Sequence, residues 1–248
     1  QGETAWVLER FEAIDAQWVE ASRIPGSLSP GQKGCFLSHR AVIEREAVRP
    51  GHLFVAEDDI QLSSRTTRVL DALMPQIGEP WDLLFTDLVI PSLQVMAHLI
   101  QRRRALTESG SLEVENCSTL GWAGATAYVV HESAKAKLNA FLSQFHELNV
   151  PYDLALKHGC SAGLFRAKFV FPFLTTVAPS ADLSTIWNRK MDLAPIIWNT
   201  FRRMVWLEAK PEDYAAALAF LRENTRAPLC DEFAILAAAT ASEGFVPS

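Results

Sequence analysis

Apolar and polar positions along the chain switch between two periods, and the switches mark the elements. Leu53-Phe54-Val55-Ala56 is a short apolar run bounded by Pro50-Gly51 and by acids, and it predicts a strand buried on both faces. Trp81 to Asp87 predicts a second strand that also ends in an acid, and the small residues Gly121 to Thr126 lead into a third, ending at Val130. Phe165 to Phe173 is rich in β-formers, with Pro172 marking an edge strand or a strand end. A further short strand is expected over Leu8–Ala13. Between these, Phe36, Leu37, Val42 and Ile43 recur at helical intervals with Arg40, Glu44 and Arg45 opposite, after the turn-rich Pro25–Gly31. Helices are also expected from Ser63 or Ser64 to Met74, from His131 to about Phe145, and after Pro151. Residues 88–120 and 180–187 are expected to be irregular. After Arg189 the pattern is helical over 193–208, 211–224 and 228–242, with Pro211-Glu212-Asp213 as a helix start.

Strands alternating with helices point to an α/β fold around a mixed central sheet, followed by a helical C-terminal appendage. The expected division is 1–190 and 191–248. At 248 residues the chain is long enough for a proper core, and 49 % apolar with 21 % charged residues excludes a disordered chain. A net charge of −6 excludes a general nucleic-acid binder, which needs a basic face. The four cysteines (Cys35, Cys117, Cys160, Cys230) form no CxxC pair, so reduced thiols of a cytoplasmic protein are expected. No apolar run approaches the roughly 20 residues of a membrane span. Gln1 to Thr4 has no basic start and apolar core, so no signal peptide is expected.

The chemistry concentrates where the first apolar run ends. Glu57, Asp58 and Asp59 place three carboxylates side by side. Like charges that close demand a counter-charge. A divalent ion with oxygen ligands, Mg²⁺ or Mn²⁺, supplies it economically when a substrate phosphate completes the coordination. The plainer alternative is a solvated acidic turn after a core strand. Two other clusters carry the same ambiguity. Arg102-Arg103-Arg104 is a solvated face or a contact for an anionic acceptor. Trp198, Arg202, Arg203 and Trp206 are ordinary packing or a peripheral membrane patch on the C-terminal helices.

Several segments occur together in order: LERFEAIDA (8–16), LSPGQKGCFLSHRAVIE (28–44), LFVAEDDIQL (53–62), AGATAYVVHESAKAKL (123–138), PYDLAL (151–156) and DLSTIW (182–187). Together they resemble glycosyltransferase family 25, the bacterial lipooligosaccharide galactosyltransferases and their procollagen-modifying relatives. The resemblance spans about residues 8–190, and the Gly-Cys-Phe-Leu-Ser-His block followed by Glu-Asp-Asp is its most specific part. It implies a GT-A-like nucleotide-sugar fold and an inverting transfer of a sugar, often galactose, from a UDP-sugar to a glycan acceptor such as lipooligosaccharide. It also implies Mn²⁺ or Mg²⁺ on the acidic run, with Asp59 as first ligand and Glu57 and Asp58 helping it or touching the ribose.

For the base that takes the acceptor's proton, Asp153 follows a proline at the family's Pro-x-Asp position, and Asp87 ends its own strand. Aspartate is also a good helix N-cap, which is the other reading of Asp153. Ser38 and His39 lie near the start of a helix, where a phosphate or sugar hydroxyl is readily bound; the alternative for His39 is a core histidine. Cys35 is read as packing. Gly124 and Thr126 line the sugar pocket or simply pack a strand, and Ser184 is placed to reach the diphosphate. The family's opening strand and arginine-bearing helix have no counterpart before residue 8, so a donor site that is incomplete, rebuilt or lost is expected. That feature supports a rival reading, a degenerate relative that binds glycan or partner without turnover. A metal-dependent phosphohydrolase ranks third, for lack of further ligands at recognisable spacing. The expected location is cytoplasmic, with the inner-membrane periphery as the second placement.

Overall fold

The computed structural model describes residues 6–183 and 193–210. The chain is α/β with a mixed central sheet. In chain order the elements are α1 (Ala16–Ala21), α2 (Pro30–Glu46), β1 (Leu53–Ala56), β2 (Ile60–Leu62), α3 (Thr66–Leu73), β3 (Leu83–Phe85), α4 (Leu93–Ser109), β4 (Glu113–Asn116), β5 (Ala127–Val130), α5 (Lys135–Leu142), α6 (Tyr152–Ser161), β6 (Ala167–Phe171), β7 (Thr175–Val177) and α7 (Leu193–Met204). Five strands form one sheet in the order β1-β5-β3-β6-β4, and β2 pairs with β7 in a second, smaller sheet. No helix among the described residues is long and apolar enough to cross a membrane.

The chain divides into two compact units. The first holds residues 1–57, 64–85 and 124–168; the second holds 58–63, 86–123 and 169–248. In the first unit β5 lies between β1 and β3 and is antiparallel to both, with Ala56 opposite Ala127 and Leu83 opposite Val130. All residues of β3 and β5 are buried. β1 differs from its expected burial. It is an edge strand whose only buried residue is Val55, because β3 and β5 take the interior places.

Helix α2 begins at Pro30, earlier than the apolar period indicates. Ser29 caps it, Gln32 closes the capping box, and Pro30 occupies the first turn, where a missing N–H is harmless. The expected strand over Leu8–Ala13 is irregular chain instead. Within it Phe11 lies under Arg45 while Leu8 stays exposed, and just before it the Trp6 ring meets Phe54 edge-on. Ser38 holds this segment to the helix by accepting from the Ile14 N–H (2.8 Å) while donating to the Gly34 carbonyl (2.8 Å). The contact needs glycine at position 34, since a Cβ there would sit 2.3 Å from the Ile14 carbonyl oxygen. Gly34→Ala is therefore expected to destabilise by roughly 1–3 kcal/mol, the usual range for overpacking, read as a lowered denaturation midpoint with unchanged m.

Asp82 anchors the other end of β3. Burial pushes its carboxyl up, but hydrogen bonds from the Arg166 side chain and N–H, with the charges of Lys137 and Arg166, prevail and hold it below the usual carboxylate range.

In the second unit the expected irregular stretch 88–120 contains the 17-residue helix α4. Ser92 caps its start and Gly110, left-handed at φ 66°, ends it. Arg102 pairs with Glu113 and Glu115 of β4, and Arg103 donates to the Trp206 carbonyl at 3.0 Å. Arg102 and Arg103 of the basic cluster are thus committed within the unit. Pro172 ends β6 through a cis peptide bond, and Thr86 and Thr175 share a buried hydroxyl bond of 2.8 Å. The C-terminal cluster is largely packing: Arg202, Arg203 and Trp206 are buried. Arg203 donates to the carbonyls of Val177 and Ala178, and the Trp206 indole N–H to that of Leu174. The helices expected over 211–224 and 228–242 lie outside the described residues.

Candidate functional site

The first unit gathers five of the candidate residues where β1 ends and β5 begins. The antiparallel register brings Glu57 opposite Thr126, and the Glu57 N–H donates to the Thr126 carbonyl at 2.8 Å. Two residues earlier, Gly124 turns the chain with φ 78°, a left-handed conformation that glycine adopts without strain. Its N–H donates to Asp153 Oδ2 at 2.8 Å. Asp153 lies in the first turn of α6, behind Pro151 as cap residue, and its hydrogen bond goes to Gly124 rather than back to its own helix. The helix-cap reading of Asp153 is therefore not the one realised.

His39 comes from α2, one helical turn after Cys35. It is buried (6 % exposed) and lies parallel to the Tyr152 ring, centroids 4.2 Å apart and planes 12° apart. Its Nε2 is 3.2 Å from Glu57 Oε1 and its Nδ1 is 3.1 Å from the Tyr128 hydroxyl, which is 2.7 Å from that of Tyr152. A carboxylate only accepts, so the proton between His39 and Glu57 sits on Nε2. In the neutral ring Nδ1 then accepts from Tyr128, and Tyr128 accepts from Tyr152. Burial pushes both phenols far up, well out of reach of deprotonation near neutral pH. The result is a directed line of hydrogen bonds, Tyr152 to Tyr128 to His39 to Glu57. Cys35 joins it from the side, its thiol donating to the same Oε1 at 3.9 Å.

The other candidates lie elsewhere. Ser38 faces Ile14 and Gly34, one residue from His39 but on a different side of α2. Asp58 and Asp59 form the turn between β1 and β2 and belong to the second unit; Asp58 is exposed and Asp59 half-buried. The acidic triplet is thus divided, with Glu57 engaged by His39. Asp87 is fully buried in the second unit, and both Nε and Nη2 of Arg202 donate to its Oδ2, the former at 3.0 Å. Ser184 lies outside the described residues. Sequence reading missed Tyr128 and Tyr152, and it read Cys35 as packing. No local signal marks the two phenols, since a strand tyrosine and a helix-start tyrosine 24 positions apart each look like core.

Two carboxylates and a histidine thus gather where β1 ends and β5 begins. The chain belongs to glycosyltransferase family 25, described as LPS biosynthesis proteins, whose family model matches residues 9–156. No curated protein and no solved structure matches the chain. The family makes it a glycosyltransferase and places a sugar donor and a glycan acceptor among its ligands in general.

Proposed function

We propose that the chain transfers a sugar, galactose first among the candidates, from a UDP-sugar to a glycan acceptor of the lipooligosaccharide kind, with inversion at the anomeric carbon and on a GT-A-like fold. The observation that supports this reading best is the gathering of Glu57, His39, Thr126, Gly124 and Asp153 in one unit, all inside the family match.

In this reading Asp153 is the base. It accepts the proton of the attacking hydroxyl, and the Gly124 N–H fixes the angle at which its carboxylate meets that hydroxyl. Asp87, locked to Arg202 in a buried pair, is given a structural role instead. Gly124 and Thr126 border the sugar. A donor diphosphate calls for a hard divalent ion, Mn²⁺ or Mg²⁺, and the residues present fit one. Asp58 and Asp59 offer oxygen donors on a turn, and such an ion is held by one or two carboxylates with phosphate and water completing its shell. Glu57 is left out of that set because its carboxylate is turned to His39 and Cys35. When bound, the ion neutralises the charge that develops on the departing nucleotide.

The experiment is a thermal-shift series with UDP, UDP-galactose and UDP-glucose, each with and without Mn²⁺. A rise in Tm that requires both nucleotide and metal is expected, corresponding to about 2.7 kcal/mol at a ligand concentration of 100 Kd. Asp59→Ala is expected to abolish the metal-dependent part of the shift. A wild-type protein indifferent to every nucleotide would remove the UDP-sugar from the reading.

A further inference from the structure

We propose that Cys35, His39 and Glu57 form a binding site for a soft divalent cation of the zinc type, separate from the oxygen-ligand ion of the donor reaction. The proposal rests on donor geometry alone and does not depend on glycosyl transfer.

Three potential ligand atoms of different chemistry, a thiol sulfur, an imidazole nitrogen and a carboxylate oxygen, lie within 4.8 Å of one another. Among the described residues no other group of three or more histidine, cysteine or acidic side chains is so close. Their present contacts explain why a cation fits. The Cys35 thiol and the His39 Nε2–H both point at one oxygen, Glu57 Oε1, at 3.9 and 3.2 Å. Two hydrogens aimed at one carboxylate oxygen occupy the place that a cation takes when it binds all three atoms. Ligand atoms around tetrahedral zinc, with bonds of about 2.0–2.3 Å, stand about 3.3–3.8 Å apart, so the closing movement required is small.

The scaffold behind the ligands is already built. Cys35 and His39 are one turn apart on α2, four residues in sequence, so both project from the same helix face. Glu57 follows directly on β1, and its backbone N–H is tied to Thr126. A metal-bound histidine normally has its second nitrogen held by an outer partner that fixes the ring. His39 Nδ1 has Tyr128, and the ring is clamped flat against Tyr152. Glu57 is 31 % exposed and Cys35 half-buried, so the side away from the tyrosines gives solvent entry and leaves a fourth position for water.

The donor set selects the ion. Thiolate and imidazole favour zinc over Mg²⁺ or Mn²⁺, which prefer carboxylate, phosphate and water. Binding is balanced by protons. The Cys35 thiol loses its proton to solvent and its sulfur bonds the ion. The His39 proton moves from Nε2 to Nδ1, where it is donated to the Tyr128 oxygen, and the Tyr128 hydroxyl turns to donate to Tyr152. One proton leaves per ion bound. The other thiols among the described residues are poorer candidates: Cys117 is buried, and burial pushes the Cys160 thiol up to about 12.

Titration of the metal-free full chain with Zn²⁺, and with Co²⁺ as a coloured probe, tests this. Expected are one ion per chain, a thiolate-to-cobalt charge-transfer band with tetrahedral visible bands, and release of one proton seen in calorimetry across buffers. Excess Mg²⁺ or Mn²⁺ should not displace the ion. Cys35→Ser should remove the charge-transfer band and weaken zinc at least tenfold. Tyr128→Phe, which keeps all three ligands and the ring packing, should weaken it about 10–100-fold, as loss of an outer partner does. A charge-transfer band that persists in Cys35→Ser, zinc affinity unchanged in both variants, or no zinc uptake by the wild type would each overturn the assignment. None of these outcomes bears on the UDP-dependent thermal shift, so the two readings fail separately.

Discussion

Asp153→Asn is expected to lower the turnover number of glycosyl transfer by about 10²–10⁴-fold, the usual worth of a positioned general base, with the KM for donor little changed. The substitution is well suited to the question because it separates charge from position. The Gly124 N–H donates to one carboxylate oxygen of Asp153 at 2.8 Å, and an amide oxygen at the same place still accepts that bond, though without the carboxylate's charge. The turn at Gly124 and the start of α6 should therefore survive, and the Tm should stay within about 1–2 °C, since a partly exposed substitution with its hydrogen bond kept costs little. What is lost is the ability to take a proton. Asp153→Ala removes the hydrogen bond as well and should show the same loss of turnover with an added loss of stability. Product formation by each variant, beside donor binding by thermal shift, reads both quantities. Wild-type turnover in Asp153→Asn would remove Asp153 from the role of base, whatever its effect on stability.

The strands of the interior were legible because they bury both faces and carry continuous apolar runs. β3, β5 and β6 all lie inside the segments their composition marks. β1 was found at the right residues but given the wrong place, since a four-residue apolar run does not say whether a second neighbour covers it. Helix α4 was missed for a different reason. Its apolar residues Met96, Ala97, Leu99 and Leu106 are interrupted by Gln101-Arg102-Arg103-Arg104, so the helical period is weak and the polar run reads as loop. Its caps, Ser92 and Gly110, were visible signals and would have outweighed the period. At the candidate site, three adjacent acids marked Glu57 because like charges that close demand a counter-charge, while the helix start and the Pro-x-Asp position of the family resemblance marked His39 and Asp153. Sequence could not show that Glu57 parts from Asp58 and Asp59, because three adjacent side chains point in different directions once a strand ends and a turn begins. Nor could it join Tyr128 and Tyr152 to His39, since their alignment depends on where α2, β5 and α6 pack.

Asp87→Asn is expected to cost about 3–5 kcal/mol, the cost of leaving one partner of a buried ion pair uncompensated. Asp87 is 0 % exposed and Arg202 only 3 %, and two guanidinium nitrogens of Arg202 converge on a single Asp87 oxygen. Asn199 adds a longer contact to Nη1 at 3.4 Å. Without the carboxylate charge the guanidinium stays buried with that compensation lost, an arrangement far costlier than having neither group. At about 2–4 °C per kcal/mol for a chain of this size, the Tm should fall by about 6–20 °C. The double variant Asp87→Leu with Arg202→Met removes both charges and should recover most of that loss, since a buried pair replaced by apolar groups is often neutral. The pair also joins two of the three stretches of chain that build the second unit. Asp87 lies inside the family match at residues 9–156, whereas Arg202 lies beyond it on α7. Truncation before α7 should therefore reproduce the destabilisation of Asp87→Asn. The opposite pattern, an unchanged Tm with turnover lost in Asp87→Asn, would return Asp87 to the role of base and take Arg202 with it as the group that orients the carboxylate.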